Sequence, residues 1–392
     1  MNKKVAYIFF RQVSESDTFS ISDLKNLNRE GLEINVFAIL HKKKGSKKIY
    51  KNKDINLHKI NYLSFLNILY MPLVFIDTLF FVLNNNKFNF KSLLKNLFII
   101  PSSLDILRNL KKLKPDVVHL FWGHYPALVG YLVHKYLGES KLSMFLGAYD
   151  IYYENPISEI VAKSSDFLVT HSSKNIEIIK NKFNVDRKIE VIKRGVDLSD
   201  FNLSDALRIK NNYSIIYAGR LIKEKNIELI IDTFSDIYKN YPELTLNIYG
   251  DGNYKNYLKK YAFQKLPVEK VKFNGFVQQK ELIDIYMKSN IFIMTSTKDG
   301  EVLPNALKEA MCAGCICITT KTLGIEELID DGVNGFIVQN EVNDVINKTK
   351  YILNLQENEL EFIRTCAQNK IIKHFSAEAS MNAYIELWGL GS

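Results

Sequence analysis

The sequence has little cysteine and no segment of low complexity. Four cysteines in 392 residues cannot supply a disulfide framework for a chain of this length, which favours a reducing, cytoplasmic environment. There is no short-period repeat, and 47% hydrophobic with 24% charged residues is typical of a folded globular protein and excludes a disordered one. Because 392 residues exceed what one ordinary hydrophobic core accommodates, the length predicts two domains.

We expect a buried strand, not a secretory signal, at the start of the sequence. Residues 1–11 contain a basic start and only six consecutive apolar residues, whereas a signal peptide needs a longer apolar core and a small-residue cleavage site. This pattern predicts a buried first strand over residues 5–10. The segment that follows, FRQVS at 10–14, lacks the G-x-G-x-x-G turn of dinucleotide-binding domains, which argues against a nicotinamide-dependent enzyme.

The net positive charge belongs to the first half of the chain. The formal net charge is +9, but the first 200 residues hold 30 Lys and Arg against 19 Asp and Glu, a net charge of +11. Basic surfaces bind nucleic acid, anionic membranes or phosphorylated small molecules. We expect no nucleic-acid partner, because no basic motif interleaved with aromatic residues is present.

The apolar segment at residues 62–83 is long enough to span a bilayer. Pro72 at its centre and Asp77 argue against a spanning helix, since an intramembrane carboxylate is costly. Two alternatives remain, namely buried or half-buried helices, or a surface that enters the membrane interface. Lysines flank the segment, and each contributes about 1 kcal/mol near an anionic leaflet unless the face is simply solvated. These are Lys42, Lys43, Lys44, Lys47, Lys48, Lys51, Lys53, Lys87, Lys91, Lys95, Lys111, Lys112 and Lys114.

Strands and helices alternate along both halves of the chain. The first array has predicted strands at 5–10, 34–40, 116–122, 167–171 and 190–193, with a helix at 21–30 that ends at Gly31. The second has strands at 214–218, 244–249, 271–274, 291–295, 316–319 and 335–338, with helices at 227–238 and 254–263. Such alternation predicts an α/β fold of two Rossmann-like domains, with a ligand site beyond the carboxyl ends of the strands, in the cleft between them.

The second half carries a basic pair beside a glycine at a strand end. Gly219 lets the backbone approach a ligand, Arg220 offers a bidentate fork for phosphate oxygens, and Lys225 adds a point charge. Gly250 and Gly252 also follow a strand and open a helix, which fits a phosphate-binding turn and fits simple turn chemistry equally well.

A third cluster lies at residues 299–311, where a loop leads into a helix. Pro304 suits a first helical turn, and the backbone N–H groups at that helix start can cradle a pyrophosphate. Glu309 on the helix can accept hydrogen bonds from a ribose diol, and Glu301 lies in the loop beside the phosphate position. The spacing of the two glutamates is by itself common and weakly specific.

Taken together, these motifs resemble those of retaining glycosyltransferases of the GT-B fold, specifically glycosyltransferase family 4. The matching segments are GRLIKEK at 219–225, YGDG at 249–252, FNGFV at 273–277, ELIDIYMKSNIFIMTS at 281–296, EVLPNALKEAMCAG at 301–314 and GIEELIDDGVNGFIV at 324–338. Looser matches in the first half are SDTFSISDLKNLNREG at 16–31, DVVHLFWG at 116–123 and VIKRGVDLSDF at 191–201. The resemblance is to the branch that makes capsular and other surface polysaccharides.

The resemblance implies a role for each donor-side residue. Arg220 and Lys225 hold the donor diphosphate in place of a metal, Glu309 binds ribose, and Glu301 binds the sugar hydroxyls. Phe276 and Val277 flank the base. The full expected donor set is Gly219, Arg220, Lys225, Gly250, Gly252, Phe276, Val277, Glu301, Val302, Leu303, Pro304, Asn305 and Glu309. The implied reaction retains the anomeric configuration, with the diphosphate itself as the base, and needs no cofactor.

The first half departs from the family pattern where an acceptor is expected. Many family members carry a His close before an Asp, but residues 145–150 read FLGAYD and contain no His. We assign catalysis to Glu301, Arg220, Lys225 and Asp150. Phe121 replaces the second His of the family's H-x-H-F-G pattern, and Val302 replaces the Gly after the first Glu. The expected acceptor-side residues are Ser16, Asp17, Thr18, His119, His124 and Tyr149.

Three closely spaced cysteines do not indicate a metal site. Cys312, Cys315 and Cys317 end an apolar helix and enter an apolar strand, without a nearby His or fourth Cys, so we expect core packing.

The sequence therefore predicts an acceptor-binding domain at 1–198, a donor-binding domain at 199–376, and a tail helix within 377–390 that crosses back to the first. The expected function is transfer of a hexose or N-acetylhexosamine from a nucleotide sugar to a glycan, lipid-linked acceptor at the inner face of the plasma membrane, with an anionic membrane surface as a partner. Two alternatives remain, a catalytically silent sugar-nucleotide binder and a non-hydrolysing nucleotide-sugar 2-epimerase.

Overall fold

The computed structural model of the chain divides into two compact units. Unit 1 comprises Met1–Arg194 together with Ala377–Ser392, and unit 2 comprises Gly195–Ser376. The structure describes residues 3–12, 18–29, 31–40, 55–58, 64–86, 89–147, 150–151, 155–203, 214–297 and 302–391.

Unit 1 is built on a seven-stranded parallel sheet in the order β3-β2-β1-β4-β5-β6-β7. Its strands are β1 Lys4–Arg11, β2 Glu33–Leu40, β3 Ile55–His58, β4 Val117–Leu120, β5 Lys141–Phe145, β6 Phe167–Thr170 and β7 Glu190–Val191. Its helices are α1 Thr18–Arg29, α2 Asn67–Tyr70, α3 Pro72–Asn85, α4 Phe90–Leu113, α5 Ala127–Tyr136, α6 Pro156–Ser164, α7 Asn175–Phe183 and the carboxyl-terminal α14 Ala377–Trp388.

Alternation along β1 explains why the sheet is covered on both faces. Ala6 and Ile8 pack into one hydrophobic cluster, and the intervening Tyr7 packs into the other. Because side chains alternate across a strand, a continuous apolar run supplies both cores at once. The second core is completed by α14, whose Tyr384 and Trp388 are buried in it.

Unit 2 is a six-stranded parallel sheet in the order β10-β9-β8-β11-β12-β13. Its strands are β8 Ser214–Ala218, β9 Thr245–Tyr249, β10 Val271–Gly275, β11 Ile291–Met294, β12 Ile316–Thr320 and β13 Phe336–Val338. Its helices are α8 Ile227–Ile237, α9 Lys255–Lys265, α10 Gln279–Lys288, α11 Asn305–Cys312, α12 Val342–Leu353 and α13 Glu357–His374. The predicted α/β class with two Rossmann-like units is thus confirmed.

Two strands were not predicted from the sequence, and the strands predicted at 116–122 and 190–193 were too long. β3 and β5 are short and mix polar with apolar residues, so their local pattern is weak. The strand predicted at 116–122 ends at Leu120, because Trp122 adopts a left-handed backbone with φ of +66° that an extended strand cannot continue.

The described part of the apolar segment, residues 64–83, folds into three helical pieces. A 3-10 turn at Ser64–Leu66 leads into α2, and Pro72 occupies the first turn of α3, where its missing N–H is harmless. Within the part of the chain that the structure describes, no helix combines the length and the apolar character needed to cross a membrane.

Candidate active site

The predicted donor residues that the structure describes gather at the carboxyl edge of the unit 2 sheet. Gly219 and Arg220 follow β8, Gly250 follows β9, and Phe276 follows β10. Because these strands are parallel neighbours, their carboxyl ends share one edge of the sheet. This edge is therefore where the chemistry predicted for unit 2 can converge.

The two glycines after β9 bring neighbouring loops into contact. A Cβ on Gly250, whose φ is +131°, would lie 1.8 Å from the carbonyl oxygen of Gly219, and a Cβ on Gly252 would lie 2.2 Å from that of Leu221. The Leu221 N–H donates to the Asp251 carbonyl at 3.0 Å. In this structure these glycines serve loop packing that holds the backbone around Arg220.

Arg220 is exposed at this edge. Its carbonyl oxygen accepts a hydrogen bond from the Tyr217 hydroxyl at 3.2 Å, which fixes the backbone while the side chain extends to solvent. Among the described residues, no carboxylate pairs with its guanidinium. The guanidinium is thus accessible to an anionic ligand.

Lys225 ends a 3-10 turn at Lys223–Lys225, and a residue that sequence analysis missed holds that turn. The buried Thr295, just after β11, donates its hydroxyl to the carbonyl oxygens of Lys225 at 3.1 Å and Asn226 at 2.8 Å. The Thr297 N–H donates to the carbonyl of Glu224 at 3.0 Å. A buried threonine after a β-strand carries no motif, so only the fold reveals this role.

The chain enters α11 through a left-handed residue. Leu303 is buried with φ of +53°, a conformation that costs a bulky side chain about 1–3 kcal/mol. Pro304 then caps the helix with an extended backbone, and Asn305 begins it. Val302 is buried alongside Leu303, while the predicted Glu301 lies outside the described residues.

Glu309 is buried on α11 and hydrogen-bonded to a partner that sequence analysis missed. The Gln279 side-chain amide donates to Glu309 Oε1 at 2.8 Å. Burial raises the pKa of the Glu309 carboxyl to about 7, while the Gln279 hydrogen bond and the nearby Lys308 ammonium lower it. Phe276, three residues before Gln279, is 69% exposed, and Val277 is half-buried.

The candidate residues of unit 1 are placed differently. Ser16, Asp17 and Tyr149 lie outside the described residues, and Thr18 begins α1. His119 is a core residue, because its Nδ1 lies 2.9 Å from Ser143 Oγ and its ring packs against aromatic side chains. Burial lowers the pKa of His119 to about 3, so the ring is neutral at pH 7.

His124 takes part in the loop after β4 mainly through its backbone. Its carbonyl oxygen accepts hydrogen bonds from the Asn155 amide at 2.6 Å and the Ser158 hydroxyl at 3.2 Å. Burial, with the nearby ammonium groups of Lys95 and Lys182, lowers the pKa of the ring to about 4. The imidazole is therefore neutral at pH 7.

Asp150 is buried where the loops after β4 and β5 meet. Its Oδ2 accepts a hydrogen bond from the Gly147 N–H at 3.0 Å. Burial raises the pKa of the Asp150 carboxyl to about 7, although the backbone amides of Gly147, Gly123 and His124 lower it. A buried Asp150 carboxyl that accepts backbone hydrogen bonds can hold the loops after β4 and β5 in place.

Arg194, which was not among the predicted site residues, follows β7 in unit 1. The Arg194 guanidinium lies 5.2 Å from the ring centroid of Phe121, 5.7 Å from that of Trp122 and 5.8 Å from that of Phe145. Distances of this size are those of cation–π contacts. The only sequence signal was the short RGVD turn at 194–197.

The three cysteines pack as predicted. Cys312, Cys315 and Cys317 are buried and belong to a unit 2 hydrophobic cluster, which confirms core packing. No group of three or more His, Cys, Asp or Glu side chains among the described residues is arranged to hold a metal ion.

The chain is similar in sequence to known glycosyltransferases. Residues 200–369 match the sequence profile of the family described as glycosyl transferases group 1. An uncharacterized glycosyltransferase of Methanocaldococcus jannaschii is 27% identical over 66% of this chain and 67% of its own length. The alpha-monoglucosyldiacylglycerol synthase of Acholeplasma laidlawii is 25% identical over 72% of this chain and 78% of its own. Other relatives match over 42% and 53% of their length.

Solved structures show the same fold over almost the whole chain. A glycosyltransferase from Rickettsia africae superimposes with a TM-score of 0.75 at 19% identity, covering 99% of this chain and 98% of its own. Anabaena Alr3699/HepE, solved with UDP and glucose, gives a TM-score of 0.70 at 15% identity, covering 99% and 100%. The chain therefore has the two-unit GT-B fold, and residues 200–369, nearly all of them in unit 2, are similar to group 1 glycosyl transferases.

Proposed function

We propose that this protein is a retaining glycosyltransferase that moves a sugar from a nucleotide-diphosphate sugar to a glycan acceptor. The observation that carries the proposal is the placement of Arg220, Lys225 and Glu309 around one carboxyl edge of the unit 2 sheet. A parallel α/β sheet binds ligands at this edge. Anabaena Alr3699/HepE, which shares the fold, was solved with UDP and glucose.

Cationic groups of this edge take the place that a metal holds in other transferases. Arg220 binds diphosphate oxygens through its planar fork, and Lys225 adds a second charge from a turn that Thr295 fixes. The N–H groups at the start of α11 add partial positive charge. These groups stabilise the negative charge that develops on the leaving nucleotide, without a metal or cofactor.

Other residues orient the rest of the donor. Glu309 accepts hydrogen bonds from the ribose hydroxyls, and Gln279 holds its carboxylate in place. The exposed ring of Phe276 and the neighbouring Val277 flank the base. Glu301 binds the hydroxyls of the transferred sugar.

The transfer retains the configuration of the anomeric carbon. The bond between this carbon and the diphosphate oxygen breaks while the acceptor hydroxyl forms a new bond on the same face of the sugar. The hydroxyl proton passes to the departing diphosphate, which acts as the base. Asp150 serves catalysis by holding the loops after β4 and β5.

The acceptor in this proposal is a lipid-linked glycan of surface polysaccharide synthesis, met at the inner face of the plasma membrane. Two observations support it. The first 200 residues carry a net charge of +11, and the Acholeplasma laidlawii relative is named for a glycolipid product.

A thermal-shift panel of nucleotide sugars tests the proposal. A donor present at 100 times its Kd should stabilise the fold by about 2.7 kcal/mol and raise the Tm. A panel in which no nucleotide sugar raises the Tm would contradict the donor site. Stabilisation without transfer would instead indicate a silent binder, and an epimerised donor formed without acceptor would indicate an epimerase.

A further inference from the structure

Unit 1 carries an unusual concentration of exposed apolar side chains. Of the 19 large hydrophobic residues that are exposed in the described chain, ten lie within residues 65–98. Exposed hydrophobic residues are normal when they are scattered, but a contiguous apolar patch marks an interaction surface. The concentration of exposed apolar residues in one segment therefore indicates a binding surface.

On α3 the exposed residues form a stripe that continues from α2. They recur at intervals of four and three positions and are between 40% and 80% exposed. This spacing places them on one face of a helix, and that face is turned to solvent. The members of the stripe are Leu69, Leu73, Ile76, Phe80 and Leu83.

On α4 a second stripe recurs every four residues. Phe90, Leu94 and Phe98 are between 52% and 73% exposed. The opposite face of this helix is buried and includes the polar side chains of Ser92 and Asn96. The first turns of the helix thus expose apolar residues and bury polar ones, whereas its later turns bury apolar residues such as Ile99 and Leu104.

Hydrogen bonds place the two stripes side by side. The Asn96 amide donates to Asn86 Oδ1 at 3.1 Å near the turn between α3 and α4. At the other end, the Asn67 amide donates to Asp105 Oδ1 at 3.0 Å. Asn67 of α2 thus pairs with a late residue of α4, and Asn86, just after α3, pairs with an earlier one, so α2 and α3 run antiparallel to α4. We call the eight residues of the two stripes the apolar face.

The charged residues near the apolar face indicate which kind of partner binds there. Lys91 and Lys95 are exposed on α4 beside the second stripe. The two acidic residues of segment 64–114 are engaged with other side chains. Asp77 accepts hydrogen bonds from Tyr131 at 2.7 Å and Tyr136 at 2.8 Å, and Asp105 accepts the one from Asn67. Exposed lysines beside exposed apolar residues, with both nearby carboxylates engaged elsewhere, fit an anionic lipid surface.

We propose that the apolar face is a docking surface for an anionic membrane. Its leucine and phenylalanine side chains enter the headgroup–acyl boundary, and Lys91 and Lys95 contact lipid headgroups. α3 has 14 residues and is about 21 Å long, shorter than the apolar core of a bilayer, so it lies along the interface. Docking of this kind assigns a surface to the membrane placement in the proposed function, although it does not depend on sugar transfer itself.

A buried polar network ties this surface to the loop after β4. The Asn96 amide also donates to Asn155 Oδ1 at 3.2 Å, and the Asn155 amide donates to the His124 carbonyl. If the proposed function is correct, docking would therefore hold the loop of His124 at a fixed height above the lipid.

Vesicle flotation with the full chain tests the proposal. The wild-type protein should float with vesicles of phosphatidylglycerol and phosphatidylcholine, and float much less with phosphatidylcholine alone or at high salt. The triple variant L73Q/F80Q/F98Q should lose at least about tenfold in partitioning, since three apolar side chains no longer enter the interface. The control V268Q/F362Q, which changes equally exposed apolar residues of unit 2, should float like wild type.

Donor binding, measured by thermal shift on the same samples, separates the two proposals. Loss of flotation in the triple variant with an unchanged Tm and unchanged donor response supports docking. A wild-type protein that fails to float overturns it, whatever the donor result. A stable dimer that the triple variant abolishes, without flotation of the wild type, also overturns it and makes the apolar face an interface between copies. Flotation without donor binding leaves docking intact and contradicts only the proposed function.

Discussion

The carboxyl edges of the two sheets differ in what they expose. In unit 2 the guanidinium of Arg220 and the ring of Phe276 are turned to solvent. In the described part of unit 1, His119 and Asp150 are almost fully buried, and the Arg194 guanidinium lies against aromatic rings. The edge of unit 2 thus presents exposed groups to which we assign ligand contacts, whereas the corresponding groups of unit 1 are internal. Residues at equivalent strand ends can serve either purpose, and burial distinguishes them.

The largest effect is expected at the exposed edge. Arg220→Ala should lower the rate of sugar transfer by about 10²–10³-fold, the usual cost of removing one group that stabilises transition-state charge. The Tm should stay unchanged because the side chain is exposed. The matched control is Lys223→Ala, an exposed cation in the same loop, which should transfer at nearly the wild-type rate. A wild-type rate in Arg220→Ala would contradict the proposal that Arg220 binds the donor diphosphate. It would also contradict the functional difference between the two sheet edges.

The buried edge should respond in stability. His119→Ala removes a ring packed against Tyr7 and Trp388 and should lower the free energy of unfolding by about 2–4 kcal/mol. Urea unfolding measures the loss, and transfer assayed at low temperature should show a wild-type kcat per folded molecule. The opposite result, a large loss of kcat at unchanged stability, would make His119 an acceptor contact and erase the distinction.

The smallest effect concerns how pH acts on donor binding. The carboxylate form of Glu309 is the better hydrogen-bond acceptor, so donor affinity should fall as pH drops through the Glu309 pKa near 7. Gln279 lowers that pKa, so Gln279→Ala should move the midpoint to higher pH and weaken binding a few-fold at pH 7. Titration of donor affinity between pH 5.5 and 8.5 measures the shift.

The exposed neighbour Gln278 supplies the control, because Gln278→Ala should leave the midpoint in place. The ionisation of Glu309 affects the stability of the fold in the opposite direction from its effect on donor affinity. Burial raises the Glu309 pKa above its unfolded value, so Glu309 makes the fold less stable as pH rises from about 4.5 to about 7. Midpoints that coincide in wild type and Gln279→Ala would show that the hydrogen bond does not orient Glu309 for ligand.

Local pattern was sufficient for most of the architecture. The alternation of apolar runs with helical periodicity gave β8 at Ser214–Ala218 without error and most other strands to within two residues. It also located Arg220, Gly250 and Phe276 at strand ends, which share one edge in any parallel sheet. The strands that were not predicted, β3 and β5, have too few apolar residues for a clear strand pattern. They pair with β2 and β4, respectively, in the sheet.

The partners of the site residues could not be predicted in this way. Gln279 and Glu309 are 30 positions apart, and Thr295 is 70 positions from Lys225. Neither pair has a spacing that a periodicity or a motif encodes. The sequence suggested a phosphate turn at Gly250, and the structure shows that this glycine permits contact with the loop of Gly219.

The sequence by itself therefore determined the class of fold, the order of elements, and the edge of unit 2 at which the predicted donor residues converge. These follow from interactions between residues a few positions apart. Tertiary structure alone decided that His119 and Asp150 are internal, and that the apolar stripes of α3 and α4 face solvent. Helical spacing shows that a helix has an apolar face, but only packing against the rest of the chain determines whether that face is covered.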